Sequence, residues 1–180
     1  LDGCVRRIDL GSLGAANGRR FLFVAGVGFD AFVVSQARPA VKARLGIASY
    51  IEAIVESLLR YPFPEFLVAA GERAYTATSC LVCNSKRYGG GLLFCPDADM
   101  HDGALDLLIL EGRRRIALAW FLLMAWMQRP MRGAWIHRIR SGAFRIEGPP
   151  EVLVETDGEL AGNLPLDFGI SHASFPLIFP

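Results

Sequence analysis

Short apolar runs rich in β-branched and aromatic residues, each closed by glycine, proline or aspartate, recur along the whole chain. "CVRRIDLG" and "RRFLFVAG" open it, and both read as strands. "PEFLVAAGERAYTATSCLVCN" carries further runs about Gly71-Glu72 and predicts a hairpin turning there. "ALDLLIL" predicts another strand, and after Pro130 follow "AWIHRIRSG", "AFRIEGPP", "EVLVETDGE", "LPLDFGIS" and "ASFPLIFP". The period lengthens in two places. From Ala31 to Tyr61 it is helical, with a break expected near Pro39 or Gly46. "IALAWFLLMAWM", Ile116 to Met127, is apolar almost all round. "YGGGLLFCPDADMHDG" reads as a long loop. Many short strands with a few helical inserts predict an α+β, mainly β domain built on an antiparallel sandwich or barrel-like core.

Composition supports one such domain over residues 1–180: 52% hydrophobic and 21% charged residues can bury a core. A formal net charge of +1 gives no bulk attraction for polyanions, so nucleic acid is not an expected partner. The chain starts at Leu1 rather than Met, and its first residues read as the interior of a longer protein. The apolar run Ile116–Met127 is shorter than the ~20 residues that span a bilayer. Arg113, Arg114, Arg115 and Arg129 flank it, so it reads either as a core helix with solvated ends or as a helix lying on a membrane surface. Of the four cysteines, Cys80 and Cys83 lie in a strand-like run where residues three apart face opposite sides. No second pair or spaced histidine completes a zinc set, and buried core positions are the better reading.

Gly26, Gly28 and Ala31 fall on G-x-G-x-x-A in "GVGFDA", the spacing of a dinucleotide-binding turn. That fold needs a crossover helix and a second strand bearing an acid about 20 residues on. Here the segment stays helix-like to Tyr61, and Glu52 lies inside it, so the context for a dinucleotide is missing. Two Asp-Gly steps, Asp102-Gly103 and Asp157-Gly158, are hairpin signals. Acids crowd both: Asp97, Asp99, Asp102 and Asp106 at the first, and Glu155, Asp157 and Glu159 at the second. Carboxylates and backbone carbonyls on one loop can ligate a hard divalent cation. "YGGG", Tyr88 to Gly91, offers bare backbone to a phosphate but lacks the Lys and Ser/Thr of a P-loop.

In order, "GVGFDA", "ASY", "CNSKRYGGGLLFCPDADMHDGALDLLIL" and "TDGE" resemble the C-terminal domain of the diacylglycerol kinase catalytic-domain family, the bacterial lipid kinases related to sphingosine kinase. The resemblance covers nearly the whole chain. It implies an ATP- and Mg²⁺-dependent transfer of the γ-phosphate to the hydroxyl of a diacylglycerol-like or sphingoid lipid. It also implies an N-terminal nucleotide-binding domain that these residues do not include, so the fragment alone is expected to be inactive. By the same resemblance Glu159 is the general base and Asp157 an acid near the nucleotide. Asp99, Asp102 and the Ala104 carbonyl are the magnesium-linked ligands. Asp30 and Gly28 fall on the lipid side, and Asn84, Gly89 and Gly90 join Asp157 on the nucleotide side. The implied partners are the lipid, a transient membrane surface, the chain's own N-terminal domain and a homodimer, in a cytoplasmic, membrane-peripheral setting. A non-catalytic lipid-binding or regulatory relative and an NAD-kinase-like enzyme with a soluble substrate are the competing readings. Retention of Glu159 and Asp102 favours catalysis over the first, and the apolar helices weigh against the second.

Overall fold

Strands that run apolar without interruption and strands that alternate have different surroundings to satisfy, and the chain uses them in different sheets. The computed structural model describes residues 4–14, 18–36, 47–129 and 132–179. One sheet takes β1 (Cys4–Leu13), β2 (Arg20–Phe21), β4 (Phe66–Ala70), β5 (Arg73–Ala77), β11 (Ala143–Glu147) and β14 (Leu166–Phe179), in the order β2-β1-β14-β11-β4-β5. The other takes β3 (Val24–Val27), β6 (Ser79–Cys83), β9 (Leu105–Leu110), β10 (Ile136–Ser141), β12 (Leu153–Thr156) and β13 (Glu159–Asn163), in the order β10-β9-β6-β3-β12-β13. A small hairpin, β7 (Arg87–Tyr88) with β8 (Leu92–Leu93), stands apart. Every described pairing is antiparallel, so no parallel crossover follows the glycine turn of "GVGFDA".

The sheets pack face to face around Val27, Val82, Leu107, Ile109, Val68, Phe144, Ile146 and Phe168, all buried. Phe144 and Phe168 stack at 4.9 Å, a pair worth about 0.5–1.5 kcal/mol beyond the area it buries. The second sheet is covered on its outer face as well. There α1 (Phe29–Gln36), α2 (Ile47–Arg60) and α3 (Arg115–Trp126) lay Phe29, Val33, Ala53, Leu118, Phe121 and Ala125 over Val24, Leu81, Leu108 and Leu110. Burial on both faces explains why β3, β6 and β9 are almost wholly apolar, Ser79 and Asp106 being the polar exceptions near strand ends, while solvent on one face of the first sheet gives β11 its alternation. Cys80 faces the sandwich interior and Cys83 the helical layer, the divergence expected of residues three apart in a strand.

Two details correct the pattern read from sequence. "RRFLFVAG" is not one strand: it bends at Leu22–Phe23, where the backbone amides turn to a side chain rather than to a ladder. "LPLDFGIS" and "ASFPLIFP" are one fourteen-residue strand, β14, whose register slips opposite Asp9. Among the described residues the helical stretch holds α1 and α2; its expected break near Pro39 or Gly46 lies outside them. The hairpin at Gly71-Glu72 forms as expected.

Candidate functional site

Along β12 the side chains alternate: Val154 enters the sandwich, and Glu155 points the other way, under the helical layer. Its register partner in β3 is Gly26. A Cβ at Gly26 would stand 2.6 Å from Asp30 Oδ2 and 2.8 Å from Glu155 Oε1, so the bare glycine is what lets these two carboxyls meet. Asp30 arrives from the first turn of α1, and its carboxyl comes up beside that of Glu155. Neither Asp30 Oδ2 nor Glu155 Oε1 receives an N–H or O–H from the described chain, although both atoms are buried. Two adjoining carboxyls out of water cannot both ionise cheaply, so the pair holds a proton. Burial is the main cause for both, pushing Asp30 to about 6 and Glu155 to about 9, with the Asp30 charge adding to the effect on Glu155. The other oxygen of Glu155 accepts from the Gly158 amide at 2.7 Å and the Tyr88 hydroxyl at 3.2 Å. The pair therefore ties α1, the Tyr88–Gly91 hairpin and the Asp157-Gly158 turn together.

Because the folded protein holds this proton more tightly than the unfolded chain, stability falls as pH rises. The contribution is complete below the ordinary glutamate value of 4.5 and is lost as pH climbs toward about 9. Glu155→Gln is expected to flatten this slope, so that melting temperatures of variant and parent converge or cross in the variant's favour toward alkaline pH. A parent that gains on the variant as pH rises would disprove the shared proton.

Asp157 occupies the turn itself, with φ of 50°. Its carboxylate accepts three backbone amides: Leu22 at 2.6 Å, Phe23 at 2.9 Å and Val24 at 3.1 Å. This is the side chain that bends "RRFLFVAG". Glu159 follows on β13 and projects into solvent, held by Arg19 at 2.6 Å. The three acids of the "ETDGE" run thus separate into a buried proton holder, a turn anchor and an exposed carboxylate. Gly28, at φ +84°, turns the chain into α1, and a Cβ there would strike the Tyr61 hydroxyl at 2.5 Å. Asn84 is buried, and its amide donates to the carbonyls of Asp9 and Leu22. Gly89 and Gly90, both at positive φ, form the tip of the β7–β8 hairpin.

The first acid group is arranged differently. Asp102 pairs with Arg140 and accepts the Ala104 amide at 3.0 Å, and Asp99 accepts both the amide and the ring nitrogen of His101. Those bonds from His101 hold Asp99 below its ordinary value. Asp106 is half-buried, and burial, with Asp97 beside it, raises it. Asp99, Asp102 and the Ala104 carbonyl are donors of the type magnesium prefers, yet both carboxylates already have cationic or N–H partners. Among the described residues no three of His, Cys, Asp or Glu converge as cation ligands would. As folded, the loop does not fit a metal.

What anchors that loop is Asp9, fully buried, which sequence reading missed. The slip in β14 brings the Ala173 amide (2.6 Å) and the His172 ring (2.8 Å) to one of its oxygens, and the Gly103 amide (2.8 Å) to the other. The signal was an acid at a strand position that should be apolar, in "RRIDLG". Glu155 and Arg19 were also missed as site residues. Glu155 stood visibly in its acid cluster, but only the β3–β12 register shows that it is the buried member.

Two antiparallel sheets, one coated by helices, with carboxylates gathered at the turns of the coated sheet, define a helix-coated β-sandwich domain. Residues 24–179 match the family described as the YegS C-terminal NAD kinase beta sandwich-like domain, and the chain belongs to that family. A diacylglycerol kinase of Mycobacterium tuberculosis (strain ATCC 25618 / H37Rv) is 29% identical over 184 residues, covering 100% of this chain and 59% of the relative. A protein of Escherichia coli O1:K1 / APEC named "Probable lipid kinase YegS" is 30% identical over 146 residues, covering 77% of this chain and 46% of the relative. A crystal structure of a diacylglycerol kinase from Bacillus anthracis str. Sterne covers 98% of this chain and 55% of its own, with a TM-score of 0.65 and 18% identity. Another structure from the same organism reaches a TM-score of 0.75 at 22% identity, over 98% of this chain and 57% of its own. At such identities the structural likeness concerns the fold. The chain spans about half to three-fifths of the length of these relatives. Those relatives carry the names diacylglycerol kinase and probable lipid kinase.

Proposed function

We propose that these residues form the substrate-side half of a kinase that uses ATP with Mg²⁺ to phosphorylate the hydroxyl of a diacylglycerol-like or sphingoid lipid. The observation that carries this is the Asp157-Gly158 turn: an anchored turn presenting one solvent-facing carboxylate, Glu159, directed by Arg19 and backed by the Asp30–Glu155 pair. The names of the relatives above support it.

In the proposed reaction the lipid hydroxyl oxygen bonds to the γ-phosphorus as the bridging oxygen departs with ADP, and Glu159 accepts the hydroxyl proton as the new bond forms. Asp30, at the first turn of α1, would meet the lipid head group, with Gly28 beside it. Asn84, Gly89, Gly90 and Asp157 would lie toward the nucleotide. The nucleotide itself would rest mainly on a separate N-terminal domain of the intact protein. Mg²⁺ supplies charge neutralisation to the phosphates when bound; at the Asp102 loop it would first have to displace Arg140. The protein would visit the cytoplasmic membrane surface from solution.

The test is transfer of label from γ-labelled ATP by the intact protein to a panel of lipids in detergent micelles. Labelled lipid is the expected product. Label on a soluble nucleotide instead, or on nothing, would overturn the proposal.

A further inference from the structure

The face of α3 opposite the core is apolar from end to end. While Leu118, Phe121 and Ala125 pack inward, Ile116 is 85% exposed, Trp120 52%, Trp126 69%, and Leu123 and Met127 each 40% or more. Ile116, Trp120, Leu123 and Met127 follow one another at steps of four, three and four, so they form a single stripe. Val55 and Leu59 of α2, which packs beside α3, are exposed too. An exposed apolar stripe of this kind marks a binding surface.

Charge decides which surface it meets. Arg113, Arg114 and Arg115 stand at the start of α3, and Arg129 and Arg132 just beyond its end. Arg113 donates to the Pro62 carbonyl, and Arg115 to the carbonyls of Leu59 and Tyr61. Carbonyls fix a guanidinium in place without cancelling its charge. Among the described residues none of these five arginines joins an ion pair. From Gly112 to Ile146 there are eight arginines and no acid, on a chain of net charge +1, which leaves −7 for the rest. An aromatic and aliphatic stripe flanked at both ends by uncompensated guanidiniums suits phosphate-bearing head groups above acyl chains. The core of a protein–protein interface is depleted of charge. At twelve residues α3 is about 18 Å long, and no described helix is long and apolar enough to cross a membrane.

We propose that α3 is the membrane-docking helix of this domain, lying flat on an anionic bilayer with Ile116, Trp120, Leu123 and Trp126 among the upper acyl chains and the arginines at the lipid phosphates. This rests on the proposal that the substrate is a membrane lipid, and it names the face that meets the membrane.

The test is sedimentation of the intact protein, without nucleotide, with phosphatidylcholine vesicles that contain or lack phosphatidylglycerol. Binding is expected only to the anionic vesicles, with a blue shift of tryptophan emission. It should weaken as salt rises from about 0.1 M to about 1 M, which shortens the Debye length from roughly 10 to 3 Å. Trp120→Glu/Trp126→Glu and, separately, Arg114→Glu/Arg129→Glu should each lower the bound fraction roughly tenfold without changing the melting temperature. Unchanged binding in the arginine variant, or equal binding to neutral vesicles, would overturn the assignment. So would tryptophans already shielded from a soluble quencher without vesicles, or a dimer that the tryptophan variant dissociates while vesicle binding persists; these would give the face to another domain or a second copy. Activity on detergent-dispersed lipid separates the two proposals. A protein that docks on vesicles yet phosphorylates no lipid keeps the docking helix and loses the kinase reading. One that phosphorylates dispersed lipid but ignores vesicles does the reverse.

Discussion

Replacing Glu159 by glutamine in the intact protein is expected to lower kcat for lipid phosphorylation roughly 10²–10⁴-fold, the range a positioned general base contributes. The KM for lipid should change little, because the amide keeps the shape of the side chain and loses only its capacity to take the proton. Stability should hardly move. Glu159 is mostly exposed, its partner Arg19 is itself partly exposed, and such pairs contribute ~0–1 kcal/mol. A steady-state assay paired with a thermal melt checks both halves. Full activity in the variant would remove Glu159 as the base, and a collapse in melting temperature would show that its role is structural.

The opposite division is expected at Asp157. Alanine there strands three amides, those of Leu22, Phe23 and Val24, and leaves a non-glycine residue without side-chain help at positive φ. Hydrogen bonds to a charged acceptor contribute about 1.5–3 kcal/mol each in favourable settings. Two of these three lie at the surface where water can substitute, so a loss of about 2–4 kcal/mol is expected. Asparagine keeps one acceptor oxygen and tolerates the left-handed backbone, and it should lose about half as much. Denaturant titration distinguishes the outcomes: the midpoint should fall with the slope unchanged. A neutral Asp157→Ala would mean that the Leu22–Val24 bend is held by something else.

These expectations also mark what sequence could reveal. The antiparallel sandwich was legible because β-formers punctuated by Gly, Pro and Asp are a local signal, and the Gly71-Glu72 and Asp157-Gly158 turns formed where their residues demanded. The divergence of Cys80 and Cys83 followed from strand geometry alone. Contacts between distant segments were not legible. Leu22 gives its amide to a carboxylate 135 positions later, so nothing near it in sequence announces the bend. The acid cluster around Glu155 was plain, but which acid is buried depends on register with Gly26, and the glycine in "GVGFDA" makes room for a carboxyl pair rather than for a pyrophosphate. The Asp102 loop showed the limit of counting acids, since Arg140, far along the chain, changes what they can bind.

The position of β14 has a consequence for how the chain is made. It sits between β1 and β11 in its sheet and pairs Cys4 with Phe179, nearly the full length of the chain apart. Synthesis delivers β1 long before its neighbour. Until β14 has left the ribosome, β1 keeps an open edge and its sheet lacks a central member, however complete the helix-coated sheet has become. Closure across so long a separation is slow, and an exposed edge in the interval invites pairing with other chains. Deletion of a few residues from the end of β14 should therefore damage solubility during expression far more than their number suggests.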